Sequence, residues 1–231
     1  MSRQGSNAST RPPPPEVAAQ LAALKLDPGR PLIISDADEV LFEFMAGFVA
    51  FIEERDCYFD WASFALTGNV RECESERALD QDEVHELLQA FFDDRADRLD
   101  PVPDAAEALA ALAKRAQVIV LSNVPKDSIA ARRRSLRNNN MDYPLIANSG
   151  TKGPAVRVLA EQVQAPVLFI DDIPHHHTSV ARAVERVIRL HFVADPRLAR
   201  LLEPAEDSHH RADTWPAARA FIEDRLAEAG F

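Results

Sequence analysis

Three short apolar runs, each ending on a hydroxyl or a carboxylate and each followed by a helical pattern, constrain this chain more than any other feature. Leu32-Ile33-Ile34 leads into Ser35-Asp36, Val118-Ile119-Val120-Leu121 into Ser122-Asn123, and Val167-Leu168-Phe169-Ile170 into Asp171-Asp172. Val187 to Val193 is a fourth run, and Pro144-Leu145-Ile146-Ala147 a weaker fifth. Runs without polar alternation suit parallel strands covered by helices on both faces. Helical patterns fall between them, over 103–115, 125–137, 153–163, 174–186 and 216–229. Pro103, Pro125, Pro174 and Pro216 stand at or near the first helical position, where a missing N–H costs nothing. Asp213 or Thr214 can cap the last helix and Gly230 can end it. Strand alternating with helix at this spacing predicts an α/β fold: an open, doubly wound, mostly parallel sheet of five strands.

One segment breaks the alternation. Residues 43–100 hold no convincing strand, but helical spacing recurs near 46–57 and 80–94. Eight of the twelve phenylalanines lie within 42–92, which gives this insertion the means to build a core of its own; the sharper reading is that some of them line a pocket over the main site. The stretch Thr67-Gly68-Asn69-Val70-Arg71 reads as a surface turn, with substrate contact as the alternative. Upstream, residues 1–15 are polar and end in Pro12 to Pro15, a composition that predicts a disordered tail. Val17, Leu21 and Leu24 place a helix over 16–26, closed by a turn at Asp27-Pro28-Gly29. The expected organisation is thus a tail at 1–15, a core domain from 16–42 and 101–231, and a small helical domain inserted at 43–100. Residues 194–212 carry no readable function.

The chain's 231 residues suffice for one α/β domain plus such an insertion. Thirty-seven acids against 26 lysines and arginines give a net charge of −11. That balance lacks the basic stripe that tracks a nucleic-acid backbone. The dense basic run Arg132-Arg133-Arg134 reads as a solvated helix face. Cys57 and Cys73, without a CxxC pair, read as two free thiols in a reducing cytosol. No apolar run approaches the roughly 18 residues a transmembrane helix needs, and the start MSRQGSN lacks the apolar core of a secretory signal. The expectation is a cytoplasmic protein whose partner is a small molecule, with no nucleic acid and no membrane.

In open α/β sheets, ligands bind beyond the carboxyl ends of the strands. Asp36, Asp38, Ser122, Asn123, Asp171 and Asp172 are therefore expected to converge. Lys152 joins them at the start of the 153–163 helix, where free N–H groups and partial positive charge suit phosphate. Four carboxylates in one cleft repel each other, and unpaired burial is costly. A hard divalent cation relieves that repulsion, and oxygen-only ligands favour Mg2+. One carboxylate is then free to attack phosphorus. A second, two residues on, can act as acid and then as base. A hydroxyl and an ammonium can hold the phosphoryl oxygens. Taken singly, each feature has a plainer reading, as surface charge, a helix cap or a solvated lysine. Their joint occurrence, each at a strand end or a helix start, points to phosphoryl transfer.

With these residues in view, the chain resembles the haloacid dehalogenase superfamily of hydrolases. LIISDADEVL at 32–41 matches that family's first motif, a strand followed by DxDx(T/V). VIVLSN at 118–123 matches the second, SGTKGP at 149–154 the third, and VLFIDD at 167–172 the fourth. The resemblance implies a Rossmann-like core and assigns roles. Asp36 would be the nucleophile and a metal ligand, and Asp38 the general acid/base, binding metal through its backbone carbonyl. Ser122 and Asn123 would meet phosphate, and Lys152 would neutralise Asp36 and the transferring group. Asp171 would bind metal, with Asp172 assisting or orienting. The 43–100 insertion would be a cap that opens and closes over the site and helps select substrate.

Asp38 also discriminates within the family. Relatives that dehalogenate organic acids lack an aspartate at this place, because halide leaves without a proton, whereas an alkoxide needs one. The resemblance therefore implies a phosphatase acting on a small phosphorylated metabolite. A phosphomutase or phosphotransferase of the same family, or a non-catalytic relative that binds a phosphorylated ligand, are the alternatives. One departure stands out: many relatives place Asp or Asn shortly after the paired acids, where this chain reads Ile173-Pro174-His175-His176-His177. A separate metal site on those three histidines is disfavoured, since adjacent side chains at a helix start diverge.

Overall fold

The computed structural model describes residues 11–231. Residues 1–10 of the expected tail lie outside the described residues, and Pro15 already opens the first helix. Along the chain the strands are β1 (Leu32–Ser35), β2 (Cys57–Phe59), β3 (Val70–Glu72), β4 (Gln117–Ser122), β5 (Leu145–Ala147), β6 (Val167–Asp171), β7 (Ile188–Phe192) and β8 (His210–Ala212). The helices are α1 (Pro15–Ala22), α2 (Phe44–Glu53), α3 (Gln81–Arg95), α4 (Ala105–Leu112), α5 (Ile129–Asn138), α6 (Gly153–Glu161), α7 (Pro174–Ala183), α8 (Pro196–Ala199) and α9 (Trp215–Glu228).

Six strands form one parallel sheet in the order β5-β4-β1-β6-β7-β8. Numbered within the core alone, that is 3-2-1-4-5-6, a doubly wound order whose switch point lies at the first strand. Successive side chains leave a strand on opposite faces, so each apolar run feeds two cores. Ile33, Val118, Val120, Leu168 and Ile170 face one layer, with Leu109 and Leu112 of α4 and Trp215, Ile222 and Leu226 of α9. Leu32, Ile34, Ile119, Leu121 and Phe169 face the other, with Val17 of α1, Val156 and Leu159 of α6 and Val180 of α7. This double burial is why the runs show no polar alternation.

The sheet has one strand more than the five expected. β8 pairs with β7 through Leu190↔His210 to Phe192↔Ala212. It is a three-residue edge strand with one buried residue, Ala212, so it needs no apolar run and leaves no such signature. Helix termini also shift. Pro174 opens α7, and Pro216 is the second residue of α9. Pro103 and Pro125 stand ahead of their helices, and α5 is entered through a short 3-10 turn at Lys126–Ser128. Thr214 occupies the cap position of α9 without a side-chain cap bond, and Gly230, at φ +85°, follows its end.

The 43–100 insertion is not purely helical. Between α2 and α3, β2 and β3 form an antiparallel hairpin with Cys57↔Glu72 and Phe59↔Val70 opposed. Strands of three residues are too short for alternation to be read. Phe91 of α3 packs edge-on against Phe44, Phe48 and Phe51 of α2 at ring distances of 5.3, 5.4 and 5.4 Å. The insertion joins the core through two adjacent backbones: Glu43 N–H donates to the Asp100 carbonyl (2.9 Å) and Val102 N–H to that of Leu41 (2.9 Å). Cys57 is buried and Cys73 exposed, both free. Among the described residues, no helix is long and apolar enough to cross a membrane.

Candidate active site

β1, β4 and β6 lie side by side, so their carboxyl ends bring three of the sequence motifs together. Asp36 follows β1, its N–H bonded to the Ile170 carbonyl of β6 (2.9 Å). The chain then folds sharply: the N–H groups of Leu41 and Phe42 both donate to the Ala37 carbonyl (2.8 and 3.0 Å), and Glu39 takes φ +60°. Lys152 precedes α6 and is wholly buried. Its ammonium sits 2.7 Å from Asp36 Oδ2 and 2.6 Å from Asp171 Oδ2. Gly153 makes that position reachable. A Cβ there would lie 2.3 Å from the Ser179 carbonyl oxygen, so only glycine lets α6 approach α7 this closely.

One oxygen from each of Asp36, Asp171 and Asp172 lies within 4.8 Å of the others, and all three residues are buried. A single ammonium cannot balance three carboxylates. Burial raises Asp36 to about 7; Lys152 opposes the rise, and Asp171 and Asp38 add to it. Asp172 is pushed well above the usual range by burial and then by Asp171 and Asp36. Burial acts the same way on Asp171, but Lys152, His176 and His177 outweigh it and hold that carboxyl low. The donor set is all oxygen, carries surplus negative charge and converges, which fits a hard divalent cation such as Mg2+.

The carboxylate of Asp38 lies outside that group. It is turned instead to Arg132, whose guanidinium is fully buried and pairs with Asp38 Oδ1. The Arg132-Arg133-Arg134 run is therefore not a solvated face throughout. Arg133 and Arg134 are exposed, while Arg132 points inward across Phe42, 4.9 Å from its ring centre. Ser122 ends β4 with its Oγ buried and unpartnered, an orphaned hydroxyl at the site. The exposed Asn123 holds the 148–150 turn: its Nδ2 donates to the Gly150 carbonyl (3.0 Å) and its Oδ1 accepts from Asn148 (2.8 Å).

A cavity of about 300 Å³ opens over this floor. Asp36, Asp38, Ser122, Asn123 and Asp172 line its base; Phe44, Phe64, Leu66, Leu88 and Phe92 from the insertion line its roof. Both expectations for the phenylalanines apply, since Phe48, Phe51 and Phe91 fill the insertion's core. Of the stretch Thr67 to Arg71, Thr67 to Asn69 forms a turn with Gly68 at φ +88°, pinned by Asn69 to Ser63 and Ala65, while Val70 and Arg71 belong to β3. Glu39, which sequence reasoning passed over, is buried and accepts from Met45 N–H (2.9 Å) and Asp195 N–H (2.7 Å), tying the insertion's first helix to the segment after β7.

The histidines diverge as their adjacency requires. His175 is exposed, and His176 lines the cavity. His177 Nε2 bonds the Asp171 carbonyl (2.9 Å). His191 on β7 accepts Ala205 N–H at Nδ1 (3.1 Å), which leaves Nε2 to donate to the Asp172 carbonyl (2.9 Å). Among the described residues, the group able to hold a metal is the aspartate trio, without a histidine.

No family sequence model matches the chain. No curated protein sequence matches it either. Solved structures do share its architecture. A conserved haloacid dehalogenase-like protein of unknown function from Agrobacterium tumefaciens is 14% identical, with 85% of this chain and 99% of that one covered at a TM-score of 0.57. A candidate beta-phosphoglucomutase from Bacteroides vulgatus is 12% identical, covering 94% and 97% at 0.54. The L-2-haloacid dehalogenase of Xanthobacter autotrophicus is 17% identical, covering 83% and 98% at 0.51. With its parallel sheet wound out from β1 and its insertion placed just after that strand, the chain has the fold of the haloacid dehalogenase-like hydrolases.

Proposed function

We propose that the chain is a Mg2+-dependent phosphatase that hydrolyses a small phosphorylated metabolite through an aspartyl phosphate on Asp36. The observation that carries this reading is the buried cluster of Asp36, Lys152 and Asp171 beside the unpartnered Ser122 hydroxyl, with Asp38 on the same cavity wall. Asp36, Asp171 and Asp172 would hold the cation, which supplies positive charge next to the phosphoryl oxygens. An Asp36 carboxylate oxygen attacks phosphorus, and the P–O bond to the leaving alcohol breaks. Asp38, whose Oδ1 stays on Arg132, gives a proton carried on Oδ2 to that alkoxide. Lys152 neutralises Asp36 and the transferring group, and Ser122 Oγ–H donates to a phosphoryl oxygen. Asp38 then takes a proton from water, which attacks the same phosphorus and releases phosphate and the free Asp36 carboxylate. The insertion acts as a cap, its apolar roof excluding bulk water.

A panel of phosphorylated metabolites assayed with Mg2+ tests this. Asp36→Asn is expected to lower phosphate release at least about 1,000-fold, and Asp38→Asn to let phosphorylated Asp36 accumulate for mass spectrometry. Release that persists in Asp36→Asn, or that ignores chelation, defeats the reading. Transfer of the trapped group to a sugar phosphate but not to water would favour the phosphomutase alternative. Chloride release from a 2-haloacid would overturn the argument from Asp38.

A further inference from the structure

We propose that the leaving group of the substrate is apolar, so that the protein hydrolyses the phosphate ester of a compact hydrocarbon alcohol rather than of a sugar or polyol. This rests on the phosphatase reading above and deepens it. The cavity is divided by chemistry. Its polar floor, Asp36, Asp38, Ser122, Asn123 and Asp172, is the part that a phosphoryl group and its cation occupy. Beyond it, the wall is Phe44, Met45, Phe64, Leu66, Leu88 and Phe92, closed by Leu198.

Two polar residues remain in the lining. The Glu39 carboxylate is already engaged by the N–H groups of Met45 and Asp195. Among the described residues His176 Nδ1 has no protein partner, which makes its imidazole the one unengaged polar group beyond the floor. A sugar ring entering this space would strip water from several hydroxyls and find few partners for them. A second phosphate or carboxylate on the substrate would meet carboxylates, because the lining includes no lysine or arginine; Arg132 stands behind Asp38. The volume, about 300 Å³, lies at the lower end for small-molecule sites and suits one ring or a short chain beyond the phosphoryl group.

Cyclohexylmethyl phosphate and glucose 6-phosphate share a skeleton, a six-membered ring bearing a phosphorylated CH2, and differ chiefly in hydroxyls and the ring oxygen. The full chain, assayed with Mg2+, is expected to show kcat/KM at least about 100-fold higher for the cyclohexylmethyl ester. The sugar is the better leaving group, so intrinsic reactivity works against this outcome. Leu88→Asn and Phe64→Ser are expected to narrow the ratio about tenfold. If these changes lower both rates and leave the ratio intact, the wall is structural only and the proposal fails. Equal turnover of the two esters, or a preference for the sugar, overturns the proposal while leaving the phosphatase reading standing. Turnover of neither ester, nor of any phosphorylated metabolite, removes the phosphatase reading and the proposal with it.

Discussion

A guanidinium with no solvent exposure, set against the rings of Phe42 and Phe92 at 4.9 and 6.0 Å, depends on the one carboxylate it meets. That carboxylate is Asp38, bonded through Arg132 Nη2, while Nε and Nη1 are buried without a hydrogen-bond partner among the described residues. Removing one member of a buried pair leaves the other charge uncompensated, whereas replacing both with apolar groups is often neutral or better. Asp38→Ala is therefore expected to cost about 3 kcal/mol, and Arg132→Met in that background to restore most of the loss. Urea denaturation of the single and double variants measures this; an Asp38→Ala cost below about 1 kcal/mol would show that the pair does not anchor α5 to the site. Asp36, Asp38, Ser122, Asp171 and Asp172 were legible because each ends an apolar run or closely follows one. Arg132 was not, because adjacent helix residues project about 100° apart and only the packing tells which of three arginines turns inward.

Strands β1, β4, β5, β6 and β7 were legible for a physical reason: burial on both faces forces unbroken apolar sequence. β8 and the β2–β3 hairpin carry no such demand, being short and buried on one side at most, and they escaped the pattern. The approach of α6 to α7 was equally hidden, since it shows in sequence only as Gly153. Adding a methyl there drives it against the backbone carbonyl of Ser179, which cannot rotate away as a side chain would. Gly153→Ala is expected to cost about 1–3 kcal/mol. It should also displace Lys152, with a loss of up to about 100-fold in kcat if the ammonium moves by about 1 Å. A thermal melt reads the first effect, at roughly 2–4 °C per kcal/mol for a chain of this size, and steady-state kinetics the second. A variant with unchanged melting and rate would mean that the two helices separate freely and do not fix the lysine.

Across the whole molecule, buried acids and buried histidines pull the pH dependence of stability in opposite directions. Burial raises Asp36 and Glu39 to about 7, so the stability they contribute is complete below pH 4 and is lost as pH rises through 7. Burial lowers His176 and His191 to about 4 from 6.5. Their contribution is complete above pH 6.5 and is lost as pH falls through 4, at about 1.4 kcal/mol per pH unit for each histidine. Between pH 4.5 and 6.5 the two sets offset each other, and with a chelator present the stability curve should be shallow there. Saturating Mg2+ changes the sign for the aspartates. A cation held by Asp36, Asp171 and Asp172 favours their ionised forms, so they join the histidines in losing stability as pH falls. Urea midpoints measured from pH 4 to 8 should therefore show a steep acid limb with Mg2+ and a shallow one with chelator. At pH 8 the two curves should stand apart by about 2.7 kcal/mol when Mg2+ is at 100 times its Kd. Superimposable curves over that range would mean that the three carboxylates hold no cation, and the chemistry proposed for Asp36 would lose its charge partner.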